Sequence, residues 1–107
     1  MTGYDFHPEA ALDLDEIWEF IAEAGLDPDL DAADRVIADI LTALDRLVPF
    51  PNQGHKRPDL TSRPLRFTLV REYLIAYAPD EKPLWVVAVL HGRRNPRVMA
   101  AILRGRE

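Results

Sequence analysis

Apolar positions along the chain change their period twice, and the changes mark out the elements. Tyr4-Asp5-Phe6-His7 alternates weakly and predicts a short strand. Pro8 suits a first helical position, with Glu9 in the first turn. Ala11, Leu14, Ile17, Trp18, Ile21 and Ala24 then recur at helical spacing, with Asp13, Asp15, Glu16, Glu19 and Glu23 between them. Gly25 is the expected stop. Asp27-Pro28 repeats the start signal. A broad stripe follows, made of Leu30, Ala33, Val36, Ile37, Ile40, Leu41, Leu44 and Leu47, and Pro49 and Pro51 end it. Two helices so closely joined are expected to lie antiparallel as a hairpin.

PNQGHKRPDLTSRP, residues 51–64, reads as a loop. After Pro64 the period becomes two. Leu65, Phe67 and Leu69 alternate with Arg66, Thr68 and Val70, and Tyr73-Leu74-Ile75-Ala76-Tyr77 follows after a turn near Arg71-Glu72. Pro79-Asp80-Glu81-Lys82-Pro83 is the next turn. Leu84 to Leu90 forms a third strand of this set, and Asn95-Pro96 opens a short helix with Val98, Met99, Ile102 and Leu103 on its apolar face. All 9 prolines fall at or beside these boundaries, so turn chemistry and periodicity agree on the order β-α-α-β-β-β plus a C-terminal helix. The expected class is α+β: an N-terminal strand, then a helical hairpin packed on an antiparallel sheet.

The strand LWVVAVL is apolar on both alternating faces, Leu84, Val86, Ala88 and Leu90 on one and Trp85, Val87 and Val89 on the other. A strand with one solvated face would be polar at every second position. Its second face is therefore expected to be covered, by the C-terminal helix or by another protein.

The 107 residues suit one domain, 1–107, and at 48% hydrophobic they can form a core. There is no cysteine, which excludes disulfides and thiolate metal sites and fits a reducing compartment. No signal-peptide pattern opens the chain, and its longest apolar run is too short for a transmembrane helix, so a soluble cytoplasmic protein is expected. The net charge of −5 conceals a division: residues 1–50 hold 13 acidic side chains and 2 arginines, and residues 51–107 hold 11 Lys and Arg against 5 acidic side chains. The halves carry −11 and +6, which suggests two surfaces with different partners.

The blocks FHPEAALDLDEIWEFIAE, AADRVIADILTALDRL, LRFTLVREYLIAYAP and VVAVLHGRRNP resemble, in order and spacing, the RelE/ParE superfamily of bacterial toxins, and most of all its ParE branch of plasmid-stabilisation toxins. The resemblance spans most of residues 4–97. It implies a toxin of a type II toxin–antitoxin system, held by a cognate antitoxin in a hetero-oligomeric complex. For ParE-type members it implies inhibition of DNA gyrase and growth arrest, and for RelE-type members cleavage of mRNA on the ribosome. An inactive antitoxin-binding module is the third reading.

Candidate residues follow from these readings. Cleavage of RNA by its 2′-OH needs a base, an acid and a cation at the phosphate, and His91, Arg66 and Arg71 are the candidates. Two features oppose cleavage. No tyrosine follows Tyr77 where RelE-type nucleases tend to carry a late aromatic, and the chain is acidic where a ribosome-binding protein is expected to be basic. A gyrase inhibitor needs only a binding surface, for which Lys56, Arg57, Arg66, Arg71, Tyr73, His91, Arg93, Arg94 and Arg97 are the candidates for the target or the antitoxin. Structural roles stand beside these: His91 as a strand-end residue bonded to backbone, Arg66 and Arg71 in ion pairs, Trp18 and Trp85 as core. The three histidines lack ligand spacing, and no phosphate loop or nucleophile elbow occurs, so neither metal nor cofactor is expected.

Overall fold

The computed structural model describes residues 3–23 and 30–107. Four strands, β1 (Tyr4–Phe6), β2 (Arg66–Val70), β3 (Tyr73–Ala78) and β4 (Leu84–His91), form one sheet in the order β1-β4-β3-β2. Helices α1 (Pro8–Glu23) and α2 (Leu30–Leu47) cover one face, and α3 (Pro96–Arg104) lies on the other. The expected α+β order holds. The sheet is mixed rather than wholly antiparallel, because β1 runs parallel to β4 while β2, β3 and β4 meander. The helices and the loop after them carry the chain back across the sheet, so no tight turn forces β1 antiparallel.

His7 ends β1 instead of belonging to it. Its carbonyl accepts from Ala10 and Ala11 at 2.8 and 3.1 Å, and its ring Nδ1 accepts the Glu9 amide at 3.0 Å, so it caps α1. Pro8 takes the first helical place as expected. The predicted stop at Gly25 and the Asp27-Pro28 start lie outside the described residues. On α1 the buried set begins at Ala10 rather than Ala11 and includes Asp13, which the helical pattern placed among solvated acids. Trp18 is half-buried, donating its indole N–H to Asp34 at 2.8 Å, and Trp85 is half-buried as well, so neither is full core.

Two apolar clusters sandwich the sheet. Ala10, Val36, Ile40, Leu44 and Leu47 pack on Tyr73, Ile75, Tyr77, Leu84, Val86 and Val89. Across the sheet, Leu60, Leu65, Phe67, Ala76, Val87, Ala88 and Leu90 pack with Met99 and Leu103 of α3. The cover for the second face of β4 is therefore the C-terminal helix and the Leu60 loop of this chain, not another protein. The alternation read from the sequence breaks in mid-strand. Tyr77 pairs with Val86 and Ala76 with Ala88, so Val87 is an extra residue, a bulge. The bulge inverts the phase: Leu84, Val86 and Val89 face the hairpin, and Val87, Ala88 and Leu90 face α3.

The 51–64 loop is anchored from below. Tyr77 Oη donates to the Pro51 carbonyl at 2.7 Å and accepts the Gly54 amide at 2.9 Å. A Cβ on Gly54 would stand 2.4 Å from that oxygen and 2.8 Å from the Phe67 carbonyl, so only glycine fits.

Candidate functional site

Candidate residues collect at the end of the sheet where β4 stops. Arg71 turns the chain between β2 and β3 with a left-handed φ of 54°. Gly92 leaves β4 against that turn and donates its amide to the Glu72 carbonyl at 2.7 Å. A Cβ on Gly92 would approach that carbonyl at 3.2 Å, which accounts for a glycine at this tight exit. The two turns are thereby joined.

His91 is committed at both ring nitrogens. Nδ1 accepts the Arg93 amide at 3.1 Å, which leaves the proton on Nε2, 3.3 Å from Glu72 Oε2. Tyr73 lies edge-on to the imidazole, with ring centroids 5.6 Å apart. Burial, and then the neighbouring Glu72 charge, push the Tyr73 phenol above its ordinary pKa. Between this end of the sheet and α1 runs a groove of 320 Å³, lined by Glu16, Ile17 and Phe20 on one side and Tyr73, His91 and Arg94 on the other. A larger cleft of 740 Å³ at the opposite end, among Tyr4, Val48, Pro51, Pro79 and Pro83, holds none of the candidate residues.

The fold thus brings Tyr73, His91 and Arg94 to one groove, with Arg71 and Arg93 in the turns beside it, and places Lys56, Arg57 and Arg66 apart. The Arg71 guanidinium turns to α2 and meets Asp39 at 2.6 Å. Arg66 sits at the other end of β2, roughly 16 Å along the strand from Arg71 at ~3.3 Å per residue, and donates to the Gly54 carbonyl at 2.8 Å. Lys56 shares a surface with Arg66, and Arg57 grips Asp59 with two hydrogen bonds of 2.9 and 2.8 Å. The Asp59 contact holds the Arg57 pKa up and the Asp59 carboxyl below its ordinary value. Arg93, Arg94 and Arg97 are exposed, and no acidic side chain pairs with them among the described residues. No cluster of His, Asp and Glu suited to a metal occurs among the described residues.

One constellation was invisible to sequence reasoning. β1 flanks only the first half of β4, and beyond it Asp13 and Arg106 close the strand's open edge. Asp13 accepts the Val89 amide at 2.9 Å and two guanidinium N–H groups of Arg106 at 2.5 and 2.9 Å. Arg106 also donates to the Val87 carbonyl at 3.2 Å. The pair supplies β4 with the acceptor and donor that a neighbouring strand would give. Nothing in the chain links an acid on a polar-looking helix to an arginine 93 residues away.

A sequence-family model described as the ParE toxin of type II toxin–antitoxin system, parDE, matches residues 4–96. The chain belongs to this family. Membership carries the coarse function, a toxin of a type II toxin–antitoxin system, and implies an antitoxin partner. Among curated proteins, the comparison found no match. The matched span of this ParE-family chain takes in the groove, both joined turns and Asp13, and it ends at Pro96, before Arg97 and Arg106.

Proposed function

We propose that this ParE-family chain inhibits DNA gyrase, causes growth arrest, and is neutralised by its cognate antitoxin in the cytoplasm. What supports a binding role over mRNA cleavage is that Arg66 stands apart from the other two candidate nuclease residues, which are themselves engaged. Arg66 and Arg71 stand at opposite ends of β2, Arg71 is held by Asp39, and both His91 nitrogens are occupied. A general base needs a free lone pair within reach of the hydroxyl it deprotonates, and an electrophilic cation must face the same phosphate.

One surface open to an antitoxin is on α1. Phe20 is 72% exposed beside the groove and Leu12 is 56% exposed, whereas the apolar face of β4 is sealed by α3. No helix among the described residues is long and apolar enough to cross a membrane.

Two assays on the purified protein separate the readings: supercoiling by purified gyrase, and mRNA integrity in a purified translation system. Loss of supercoiling with intact mRNA is expected. Ribosome-dependent cuts that vanish in His91→Ala overturn the proposal in favour of a nuclease. Co-expression of a cognate antitoxin should restore growth.

A further inference from the structure

We propose that the exposed turn carrying Arg93, Arg94 and Arg97 binds the phosphate backbone of duplex DNA. Every residue from Gly92 to Val98 is exposed, and these three guanidiniums lack acidic partners among the described residues, unlike Arg57, Arg71 and Arg106. The backbone N–H groups at the start of α3 are already engaged, Arg97 by the Asn95 side chain at 2.8 Å and Val98 and Met99 by the Asn95 carbonyl at 3.0 and 3.1 Å. The helix end itself is therefore not the binding element. The side chains are, and their planar donor forks match phosphate oxygens.

The side chains of the turn itself favour nucleic acid over an acidic peptide. Val98 is the one large apolar side chain exposed on the turn itself; exposed Leu69 beside Gly92 and exposed Phe20 in the groove that Arg94 lines stand at its border, so a peptide is the competing ligand that the test must exclude. The α1–α2 hairpin lies on the other side of the sheet from α3 and belongs to the half of the chain that carries −11. Arg94 itself faces Glu16 of α1 across the groove, so the acidic hairpin repels a polyanion up to the edge of the turn and leaves the turn as its basic approach. Three phosphate contacts give modest, sequence-independent, salt-sensitive binding. This inference extends the proposed function to the DNA of the gyrase complex, but it is read from DNA binding alone.

The test is fluorescence anisotropy of the full-length protein with a labelled duplex of about 20 base pairs, between ~25 and ~150 mM salt. Neutralising three phosphates predicts a log–log slope near −2.7 and a loss of affinity on the order of 100-fold over that range. The triple variant R93Q/R94Q/R97Q, verified as folded by its thermal transition, should flatten the slope. Lys82→Gln, at the far end of β4, should leave it unchanged. Three results overturn the inference: no binding at the lowest salt, binding unaffected by the triple variant, or equal binding of a polyglutamate of similar charge, which would reassign the turn to a protein partner. A wild-type protein that inhibits gyrase in the parallel supercoiling assay yet binds no DNA keeps the proposed function and loses only this inference.

Discussion

Single atoms decide several positions. Gly54 is locked by Tyr77 and Phe67, so Gly54→Ala must push either the phenol or the β2 backbone aside. We expect a loss of about 1–3 kcal/mol in urea unfolding, as for other overpacked sites. Tyr77→Phe removes no volume of consequence but strands the buried Gly54 amide and the Pro51 carbonyl, and should cost about 1–3 kcal/mol. Burial is the leading cause that raises the phenol pKa of Tyr4, Tyr73 and Tyr77 above 10.0. A raised folded-state pKa means the unfolded chain releases its proton first. The tyrosine contribution is therefore complete below pH 10 and is lost as pH rises through the folded-state values. Unfolding midpoints should fall on the alkaline side, and a flat profile through phenolate formation would contradict the burial. The phenols were visible in the sequence. Their partners were not, because Gly54 and Tyr77 meet only once the loop folds under the sheet.

Elements were legible wherever periodicity and turn chemistry agreed. Pro8, Asn95-Pro96 and Pro79–Pro83 mark boundaries that the structure keeps, and the α2 stripe buries Val36, Ile40, Leu44 and Leu47 as its spacing requires. Reading failed at β4, since a bulge leaves no trace in an unbroken apolar run. It failed again at Asp13, since a buried acid and a solvated one are the same letter. The Asp13–Arg106 pair is the test at this scale. Each side chain is 10% exposed, so removing one partner leaves the other charge stranded. Asp13→Ala should cost about 3–5 kcal/mol and speed hydrogen exchange at the Val89 amide. Asp13→Leu with Arg106→Met should recover much of that loss. The Arg71–Asp39 pair has side chains 48% and 50% exposed, and Arg71→Ala should change stability by only ~0–1 kcal/mol.

For the whole molecule, the sandwich determines which surfaces remain for partners. Leu103 is fully buried between α3 and the sheet, and Leu103→Ala should destabilise by about 2–5 kcal/mol while uncovering the outer face of β4 to a hydrophobic dye. Phe20 lies outside both layers. Phe20→Ser should leave the unfolding free energy within ~0.5 kcal/mol yet weaken co-purification with the antitoxin; unchanged retention would remove α1 from the proposed interface.

By itself the sequence determined the class, the order of elements and the division of charge between the halves, because these depend on local spacing and composition. Its family resemblance was equally readable, being a matter of order along the chain. Only the tertiary structure decided that α3 covers β4, that Tyr73, His91 and Arg94 share a groove while Arg66 lies apart, and that Arg106 fastens Asp13. Each of those depends on sheet register and on contacts between residues far apart in sequence, and one bulged residue is enough to reverse which side chains face which layer.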